Sequence, residues 1–380
     1  MDLLFFLFGV SLFTVFYVYV AYPALLWLWG RRYPQPQYES TEPPFISIMI
    51  SAYNEERYIE KKIRNALSVD YPKERMRVVV ISDGSTDKTL EIANSFDDDR
   101  LKVIEVTDRK GKSNALNQGL RYATGDILVF TDANVFFDEA AIQALVKPFS
   151  DVSCGAVSGC VELVALGSDE PLGEGAYMRY ERFMQSYESR LCTMVGIDGG
   201  MFAIRRKYVT EVPKGIVLDD FYLAMRAIAN NARIIYEPKA TANELVPASV
   251  SQEFRRKIRI AAGSFQVIRY IEFLKQPHKN IKATLFFVSH KLLRWLSPFF
   301  LITLFVVSAL LAENILFSIF LWLQIMLYGL ALVGAVFPQL RERTLVYIPY
   351  YFVAMNAAFF LGFWKYLLGL QKVTWNRVDR

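Results

Sequence analysis

The fold of this 380-residue chain is decided by two similar stretches, Ile48-Met49-Ile50-Ser51-Ala52-Tyr53-Asn54-Glu55-Glu56 and Val78-Val79-Val80-Ile81-Ser82-Asp83-Gly84-Ser85-Thr86-Asp87. In each stretch an apolar, β-branched strand ends in a small polar turn that carries a carboxylate. Ligands of open α/β sheets collect where strands end, because backbone N–H groups and short side chains can meet them there. The two stretches therefore indicate an α/β sheet with a strand-end site that suits a nucleotide.

Short apolar strands alternate with helical patterns around these stretches. We predict strands at 45–51, 76–82, 101–106 and 127–132, and helices at 55–69, 87–96 and 112–123. This βαβ rhythm is typical of a Rossmann-like, mostly parallel sheet. Two further polar clusters lie near apolar runs in the same half of the chain, Asp132-Ala133-Asn134 and Asp219-Asp220. Together these features indicate a transferase that acts on a nucleotide-linked substrate.

Apolar stretches flank this soluble region. Leu3–Gly30 has no charged residue and exceeds the roughly 20 residues that cross a bilayer. It begins with Met1-Asp2 and lacks a basic start, so we expect a retained anchor and not a cleaved signal peptide. Three more stretches lack Asp, Glu, Lys and Arg, at 296–312, 314–340 and 344–364. The predicted domains are an anchor at 1–32, a catalytic domain at 33–250, a basic interface region at 251–284, about three transmembrane helices at 285–370 and a basic tail at 371–380.

The basic flanks of the spans predict their orientation. Arg31 and Arg32 follow the first span, and Lys291 and Arg294 precede the second, which assigns residues 31–290 to the cytoplasmic side. Four full crossings would place the basic tail outside, so a re-entrant or an interfacial last segment is the alternative, and the side of the tail stays open. The size of the chain fits a bacterial inner (plasma) membrane protein. The formal charge of +5 is too mild for a nucleic-acid partner.

The stretch 252–282 carries eight Lys or Arg residues against two Glu, with apolar residues at helical spacing. We predict an amphipathic helix on the cytoplasmic leaflet, from which an arginine also reaches phosphate. Cys154, Cys160 and Cys192 have no CxxC spacing, which argues against zinc and against a disulfide framework.

Residues 45 to about 265 resemble a family 2 glycosyltransferase with the GT-A fold. The flanking spans resemble those of the membrane-embedded branch that contains cellulose, hyaluronan and chitooligosaccharide synthases and ceramide glucosyltransferase. Tyr53, Asn54 and Glu55 match the first strand-end motif of this family, and Asp83 lies in the second. The resemblance implies that these residues hold the base and ribose of a nucleotide. Alternatively, the polar residues after Asp83 only cap the next helix.

Two more motifs imply contacts to the sugar diphosphate. Lys112 lies in a glycine-lysine segment at a helix start, a position that suits a diphosphate contact, although a surface loop is also possible. Asp132 and Asn134 stand where the family has Asp-x-Asp, which holds Mg²⁺ or Mn²⁺. Asn134 offers only a neutral carbonyl oxygen to such a cation. The alternative for Asp132 is a turn-capping carboxylate.

Asp219 and Asp220 align with the family's Thr-Glu-Asp motif, whose last aspartate is the general base. The resemblance implies that Asp220 takes the acceptor proton, and Asp219 raises the pKa of Asp220 by like-charge repulsion. A helix N-cap pair is the alternative. Gly199 and Gly200 lie in a segment that resembles the lining of the acceptor and sugar-donor site.

The family's Gln-x-x-Arg-Trp motif aligns best with Arg256-Lys257-Ile258-Arg259-Ile260, while a register beginning at Gln252 is the alternative. Arg259 and Arg256 are therefore expected to contact the diphosphate, since a guanidinium donates paired hydrogen bonds. Ile260 replaces the tryptophan that stacks on the glycan in processive relatives. Trp295 and Trp375 are interpreted as interfacial anchors, and the alternative is that one of them replaces this stacking tryptophan.

We expect an integral membrane, inverting glycosyltransferase that moves a sugar from a nucleotide sugar, a UDP-sugar by preference, to a lipid or lipid-linked acceptor. A processive β-linked polysaccharide synthase that translocates its product is the runner-up. A catalytically silent nucleotide-sugar-binding subunit is the third hypothesis, and the need for a partner subunit stays open.

Overall fold

A single eight-stranded mixed sheet forms the centre of the soluble region. The computed structural model describes residues 1–39, 42–107, 109, 111–165, 176–246 and 250–371. Its strands are β1 Ile46–Ala52, β2 Met76–Asp83, β3 Leu101–Val106, β4 Ile127–Asp132, β5 Val135–Phe137, β6 Cys154–Ala165, β7 Met201–Arg205 and β8 Arg233–Val246. Their order across the sheet is β3-β2-β1-β4-β7-β6-β8-β5.

Helices cover the sheet and extend beyond it into an apolar bundle. They are α1 Asp2–Phe16, α2 Tyr22–Gly30, α3 Ile59–Ser68, α4 Thr89–Asn94, α5 Lys112–Gly119, α6 Ala141–Val146, α7 Ala176–Leu191, α8 Asp219–Ala229, α9 Val250–Val267, α10 Ile281–Phe286, α11 Leu293–Leu310, α12 Ile315–Val336 and α13 Thr344–Leu367. Short π-helical turns make α1 continuous with α2, and α10 continuous with α11.

The parallel half of the sheet positions the site. β1 pairs in parallel with β2 and β4, and β2 pairs in parallel with β3. Ile46, Ile48 and Ile50 are fully buried on one face of β1, and Ser47 and Met49 are buried on the other, as expected for a strand that is covered on both faces. The carboxyl ends of β1, β2 and β4 therefore meet at one edge, where Asp83 and Asp132 end their strands. The predicted α/β class and mostly parallel sheet are confirmed.

The predicted helices start and end within a few residues of the observed ones. The largest differences are at the start of α3, which is Ile59 and not Glu55, and at the end of α5, which is Gly119 and not Ala123. Asn54 has a positive φ of 54°, and the N–H of Glu55 donates to the Thr89 hydroxyl at 2.7 Å. This turn ties the strand end to the neighbouring loop, so the helix starts later than its apolar pattern alone indicates.

Four helices are long and apolar enough to cross a membrane, namely Asp2–Gly30, Pro277–Leu310, Ile315–Val336 and Thr344–Leu367, in the part of the chain that is described. They correspond to the four predicted spans, although the second helix begins well before residue 296. The basic tail from 372 onward lies outside the described residues.

The predicted amphipathic helix is shorter than the stretch 252–282, and protein covers part of its apolar stripe, while its position on the leaflet stays a prediction. The helix ends at Val267, and residues 268–280 form short 3₁₀ turns. Ala261 and Phe265 are buried against α13, where Phe265 packs edge-on to Phe363 at 5.2 Å. A Cβ on Gly362 would lie 2.6 Å from the Cβ of Ala261, so this glycine allows the two helices to approach closely. Protein, and not lipid, therefore covers this part of the apolar stripe.

Candidate active site

A cavity of about 1130 Å³ opens at the carboxyl edge of the sheet. The sheet edge contributes Glu55 and Asp132, α8 contributes Asp220, and α9 contributes Arg259. The apolar helices contribute further lining residues, among them Trp295 and Phe359. Most of the predicted site residues therefore surround one space that reaches from the sheet to the apolar helices.

The two strand-end turns are fastened to each other. The Asn54 Oδ1 accepts from the N–H of Thr86 at 2.8 Å, and its Nδ2 donates to the Thr86 hydroxyl at 3.2 Å. Asp87 caps α4 by accepting from the N–H of Thr89 at 3.0 Å. Asp87, and not Asp83, therefore accepts the hydrogen bond at the start of this helix. The described hydrogen bonds of Asn54 hold the turn in shape. This role is structural, whereas the sequence predicted a direct contact with a nucleotide.

Tyr53 and Gly84 both lie next to an arginine that the sequence did not single out. The Arg109 guanidinium carbon is 3.9 Å from the centroid of the Tyr53 ring. A Cβ on Gly84, which has a φ of +67°, would lie 3.3 Å from the Cβ of Arg109. Asp83 and Glu55 are buried beside them. These contacts bring both strand-end motifs together, as predicted from the shared sheet edge.

Lys112 joins the acidic motifs. Its Nζ lies 2.7 Å from Asp132 Oδ1 and 4.0 Å from Asp219 Oδ2. Burial lowers the pKa of Lys112, but the carboxylates of Asp132 and Asp219 outweigh it and hold that pKa above its ordinary value. Gly111 precedes the helix at a φ of +93°, which starts α5 beside the cavity. Lys112 is therefore a fixed cation among the carboxylates and not part of a solvated surface loop.

The Asp-x-Asn turn offers one cavity-facing carboxylate. Asn134 is only 3% exposed, and its Nδ2 donates to the Leu245 carbonyl at 3.0 Å, which ties the turn to β8. The described residues contain no group of three or more His, Cys, Asp or Glu side chains that could hold a metal ion. A divalent ion on a sugar diphosphate needs only one or two carboxylates, because phosphates and water supply the other ligands. The Asp132 carboxylate fits such an ion.

Sequence reasoning missed a lysine beneath this turn. Lys62 of α3 is fully buried, and its Nζ donates to the Thr131 hydroxyl at 3.1 Å and to the Val135 carbonyl at 2.5 Å. Burial lowers the pKa of Lys62 well below its ordinary value, against the opposing effect of Asp132. Lys62 stands in an ordinary amphipathic pattern, so nothing in the sequence separates it from a surface lysine.

Asp220 lies in the first turn of α8, with its carboxylate against a glycine. Its Oδ1 accepts from the N–H of Phe221 at 2.7 Å. A Cβ on Gly199 would lie 2.2 Å from Asp220 Oδ2, so only glycine leaves room for this carboxylate. Burial, with the Asp219 carboxylate as the second cause, raises the pKa of Asp220 to about 7. A base with that pKa is suited to take a proton near neutrality.

A second buried carboxylate lies next to the glycine pair. Asp198 Oδ1 accepts from the N–H of Gly200 at 3.0 Å, and the Asp198 N–H donates to the Ser158 hydroxyl at 2.9 Å. Burial, with the charge of Glu244 in support, raises the pKa of Asp198 to about 6. The Gly-rich segment was predicted through Gly199 and Gly200, whereas Asp198 was not singled out.

The two predicted arginines of α9 both line the cavity. Arg256 Nη2 is 3.7 Å from Glu244 Oε1, and this carboxylate holds the pKa of Arg256 above its ordinary value. Burial and the Arg256 charge lower the pKa of Arg259. Arg259 has no hydrogen bond or ion pair with any other residue that the structure describes. Its guanidinium therefore faces the cavity with donors available for an anion.

Trp295 is not an interfacial anchor, which corrects the sequence interpretation. Its side chain is 5% exposed and packs against Phe221, Phe265 and Phe287 with ring centroids 5.7–6.2 Å away. It also lines the cavity beside Phe221, the residue that follows Asp220. Trp295 is buried because the start of α11 packs against α8 inside the protein. Trp375 lies outside the described residues.

Comparison with known proteins of similar sequence and structure supports the predicted family and fold of this chain. Poly-beta-1,6-N-acetyl-D-glucosamine synthase of Staphylococcus aureus (strain COL) is 25% identical over 270 residues, which is 66% of this chain and 65% of that protein. The probable glycosyltransferase YdaM of Bacillus subtilis (strain 168) is 27% identical over 270 residues, 68% of this chain and 64% of its own. The chain thus spans about 65% of the length of these relatives.

Among solved structures, the mannosyltransferase PcManGT from Pyrobaculum calidifontis, in complex with GDP-Man and Mn²⁺, superposes with a TM-score of 0.70. The match covers 96% of this chain and 99% of that chain at 23% sequence identity, which confirms the predicted GT-A fold. Residues 47–212 match glycosyl transferase family 2, and residues 173–364 match glycosyl transferase family group 2. Since the second match covers half of the chain, this protein belongs to glycosyl transferase family group 2, in agreement with the family 2 resemblance of its motifs.

Proposed function

We propose that this protein transfers a sugar from a nucleotide sugar to an acceptor hydroxyl, with inversion at the anomeric carbon. The observation that carries the proposal is the carboxylate of Asp220, which lies in the cavity with a pKa of about 7. Lys112 and Arg259 line the same cavity and suit a diphosphate. A base and diphosphate-binding cations in one space are what a single inverting displacement requires.

In the proposed reaction, Asp220 accepts the proton of the acceptor hydroxyl while the oxygen forms a bond to the anomeric carbon. The bond between that carbon and the diphosphate oxygen breaks, and its electron pair leaves with the nucleoside diphosphate. Lys112 and Arg259 stabilise the negative charge that develops on the leaving group. The Asp219 carboxylate keeps Asp220 basic enough to act near pH 7. Gly199 leaves room for the carboxylate beside the acceptor.

Asp132 is the residue that would hold Mg²⁺ or Mn²⁺ on the sugar diphosphate. Such a cation neutralises part of the diphosphate charge and makes the nucleoside diphosphate a better leaving group. Asn134 supports the turn that presents Asp132, through its bond to β8. The Mn²⁺ and GDP-Man in the complex of PcManGT are consistent with this assignment.

We assign the nucleotide pocket to Tyr53, Glu55 and Asp83, with Asn54 shaping the turn between them. A carboxylate suits the N3–H of uracil, which favours a UDP-sugar. The name of the S. aureus relative points to N-acetylglucosamine as the first sugar to test. We place the catalytic domain on the cytosolic face of a bacterial plasma membrane, because basic residues flank its spans.

The proposed acceptor is a lipid or a lipid-linked sugar. The cavity joins the catalytic carboxylates to Phe359 of α13, so an acceptor held by the transmembrane helices can reach Asp220. A processive polysaccharide synthase is the second candidate, favoured by the similarity to a poly-N-acetylglucosamine synthase. Product length separates the two: one added sugar supports the first, and a ladder of lengths supports the second.

The test is release of nucleoside diphosphate by the purified full-length protein in lipid nanodiscs. A panel of UDP- and GDP-sugars is supplied with and without Mn²⁺, and Asp132→Asn is run beside the wild type. We expect release from one donor, strongest with Mn²⁺, and a loss of the Mn²⁺ response in the variant. Absence of release from every donor in the presence of membrane lipid extract would overturn the proposal.

A further inference from the structure

A charged network lies where the catalytic domain meets the transmembrane helices. Glu181 of α7 accepts from Lys291 Nζ at 2.6 Å and from Arg294 Nη1 at 2.7 Å. The second guanidinium nitrogen of Arg294 donates to the Tyr177 hydroxyl at 3.0 Å. Three of these residues, Glu181, Lys291 and Arg294, are at most 15% exposed at their side chains. The reaction proposed above uses none of them.

The network is part of the wall of the catalytic cavity. Tyr177, Glu181, Lys291 and Arg294 line it together with Asp220. Lys291 also crosses the glycine-rich segment, because a Cβ on Gly196 would lie 3.3 Å from Lys291 Cε. A molecule whose hydroxyl meets Asp220 and whose body extends along this segment therefore reaches the Lys291 ammonium.

Only one of the two carboxylates of this network reaches the cavity, because Glu188 is buried behind it and bonds to Tyr22 and His290. Lys291 and Arg294 are two cations, and Glu181 is the single carboxylate that lies between them and also lines the cavity. Burial raises the pKa of Glu181, but Lys291, His290 and Arg294 outweigh it and hold that pKa well below its ordinary value. At the cavity wall, Lys291 and Arg294 thus share the single carboxylate of Glu181, which leaves room for a second anion to pair with them.

Donor groups remain for such an anion. An ammonium has three N–H donors and a guanidinium has five. Among the described residues, Lys291 bonds to Glu181 and, at 3.4 Å, to His290, while Arg294 bonds to Glu181 and Tyr177. Both residues therefore keep donors that none of the described hydrogen bonds uses.

The position of the pair indicates the kind of anion. Lys291 and Arg294 lie within the helix Pro277–Leu310, just before its charge-free stretch 296–312, and they contact α7 of the catalytic domain through Glu181. Met355 and Phe359 of α13 add apolar side chains to the same cavity. Basic pockets between transmembrane helices at this depth bind lipid headgroup phosphates.

We propose that the acceptor carries a phosphate or diphosphate next to its accepting hydroxyl, and that Lys291 and Arg294 bind it. The proposal rests on the sugar transfer proposed above and names the chemical class of its acceptor, an anionic lipid. The lipid chain lies against the apolar part of the cavity, and the accepting hydroxyl gives its proton to Asp220 in the displacement already described.

The experiment compares two acceptors that share lipid and sugar and differ in one group. Farnesyl diphosphate N-acetylglucosamine and the neutral farnesyl N-acetylglucosaminide are offered to the full-length protein in polyoxyethylene micelles, which contain neither phosphate nor sugar. We expect kcat/KM to favour the diphosphate-linked acceptor about tenfold or more, the effect of one or two hydrogen bonds between charged groups. Phosphatidylglycerol replaces both acceptors in a third arm, and transfer to it also supports a phosphate-bearing acceptor.

Variants separate binding of the phosphate from support of the fold. Lys291→Gln is expected to reduce the preference for the diphosphate-linked acceptor about tenfold, while Lys291→Arg keeps it. Lys279→Gln, at an exposed lysine outside the cavity, should keep it as well. Equal use of the two farnesyl acceptors by the wild type would overturn the phosphate proposal and leave the sugar transfer standing. No transfer to any of the three would count against both.

Discussion

Gly199→Ala tests whether the position of the Asp220 carboxylate controls the reaction. An alanine Cβ at this position would lie 2.2 Å from Asp220 Oδ2 and 3.1 Å from its Cγ. Real Cβ atoms do not approach other atoms closer than 3.0 Å, so the Asp220 oxygen must move by at least about 0.8 Å. The neighbouring N–H of Phe221 holds the other oxygen, which turns this shift into a rotation away from the acceptor.

A displacement of about 1 Å at a catalytic group costs roughly 10²-fold in rate. We therefore expect kcat of Gly199→Ala to fall about 10²-fold, close to the lower end of what a general base contributes, roughly 10²–10⁴-fold. Nucleotide affinity should stay within a few fold, because Gly199 does not touch the strand-end turns.

The assay follows transfer at saturating donor and measures UDP affinity by calorimetry on the same sample. Gly329→Ala is the matched control, since a Cβ there has nothing within 4 Å. Turnover of a folded Gly199→Ala protein within twofold of the wild type would refute the assignment of Asp220 as a closely positioned base.

Three further predictions concern the base, the diphosphate and the helix packing. Asp220 must be ionised to act, so kcat should fall about tenfold per pH unit as the pH drops below about 7 and level off above it, measured from pH 5 to 9; a flat profile would exclude this base. Arg259→Ala should weaken binding of the donor about tenfold or more by calorimetry, whereas Arg269→Ala, exposed beyond α9, should not. Gly362→Leu should destabilise the protein by about 1–3 kcal/mol in thermal unfolding, because it overpacks α9 against α13, while Gly329→Leu should have little effect; equal melting of the two would mean that α9 does not pack there.

The sheet and the strand-end residues could be predicted because their signals are local. Runs of β-branched residues that end in Asn54-Glu55 or Asp83-Gly84 define both a strand and its turn, and parallel pairing then brings the turns to one edge. The order of the motifs was enough to place Lys112 and Asp132 in the same cavity.

The residues that were missed depend on contacts between distant segments. Lys62 lies 69 residues before Thr131, and Glu181 lies 110 residues before Lys291. In the sequence, Lys62 and Glu181 both lie in a pattern that is typical of a solvated helix face. Only tertiary packing buries them. The flanking charge of Lys291 was therefore interpreted as an orientation signal alone.

The same limit explains the error at α9. Amphipathic periodicity reports that one face of a helix is covered and does not report what covers it. Gly362 permits α13 to take the place that was assigned to lipid.

The central claim is that Asp220 moves the proton and does not bind the nucleotide. Single-turnover transfer and nucleoside-diphosphate affinity, both measured on wild type and Asp220→Asn in nanodiscs, test it most directly. The account predicts unchanged affinity within a few fold and a rate that is lower by roughly 10²–10⁴-fold. A variant that transfers sugar at the wild-type rate would contradict it.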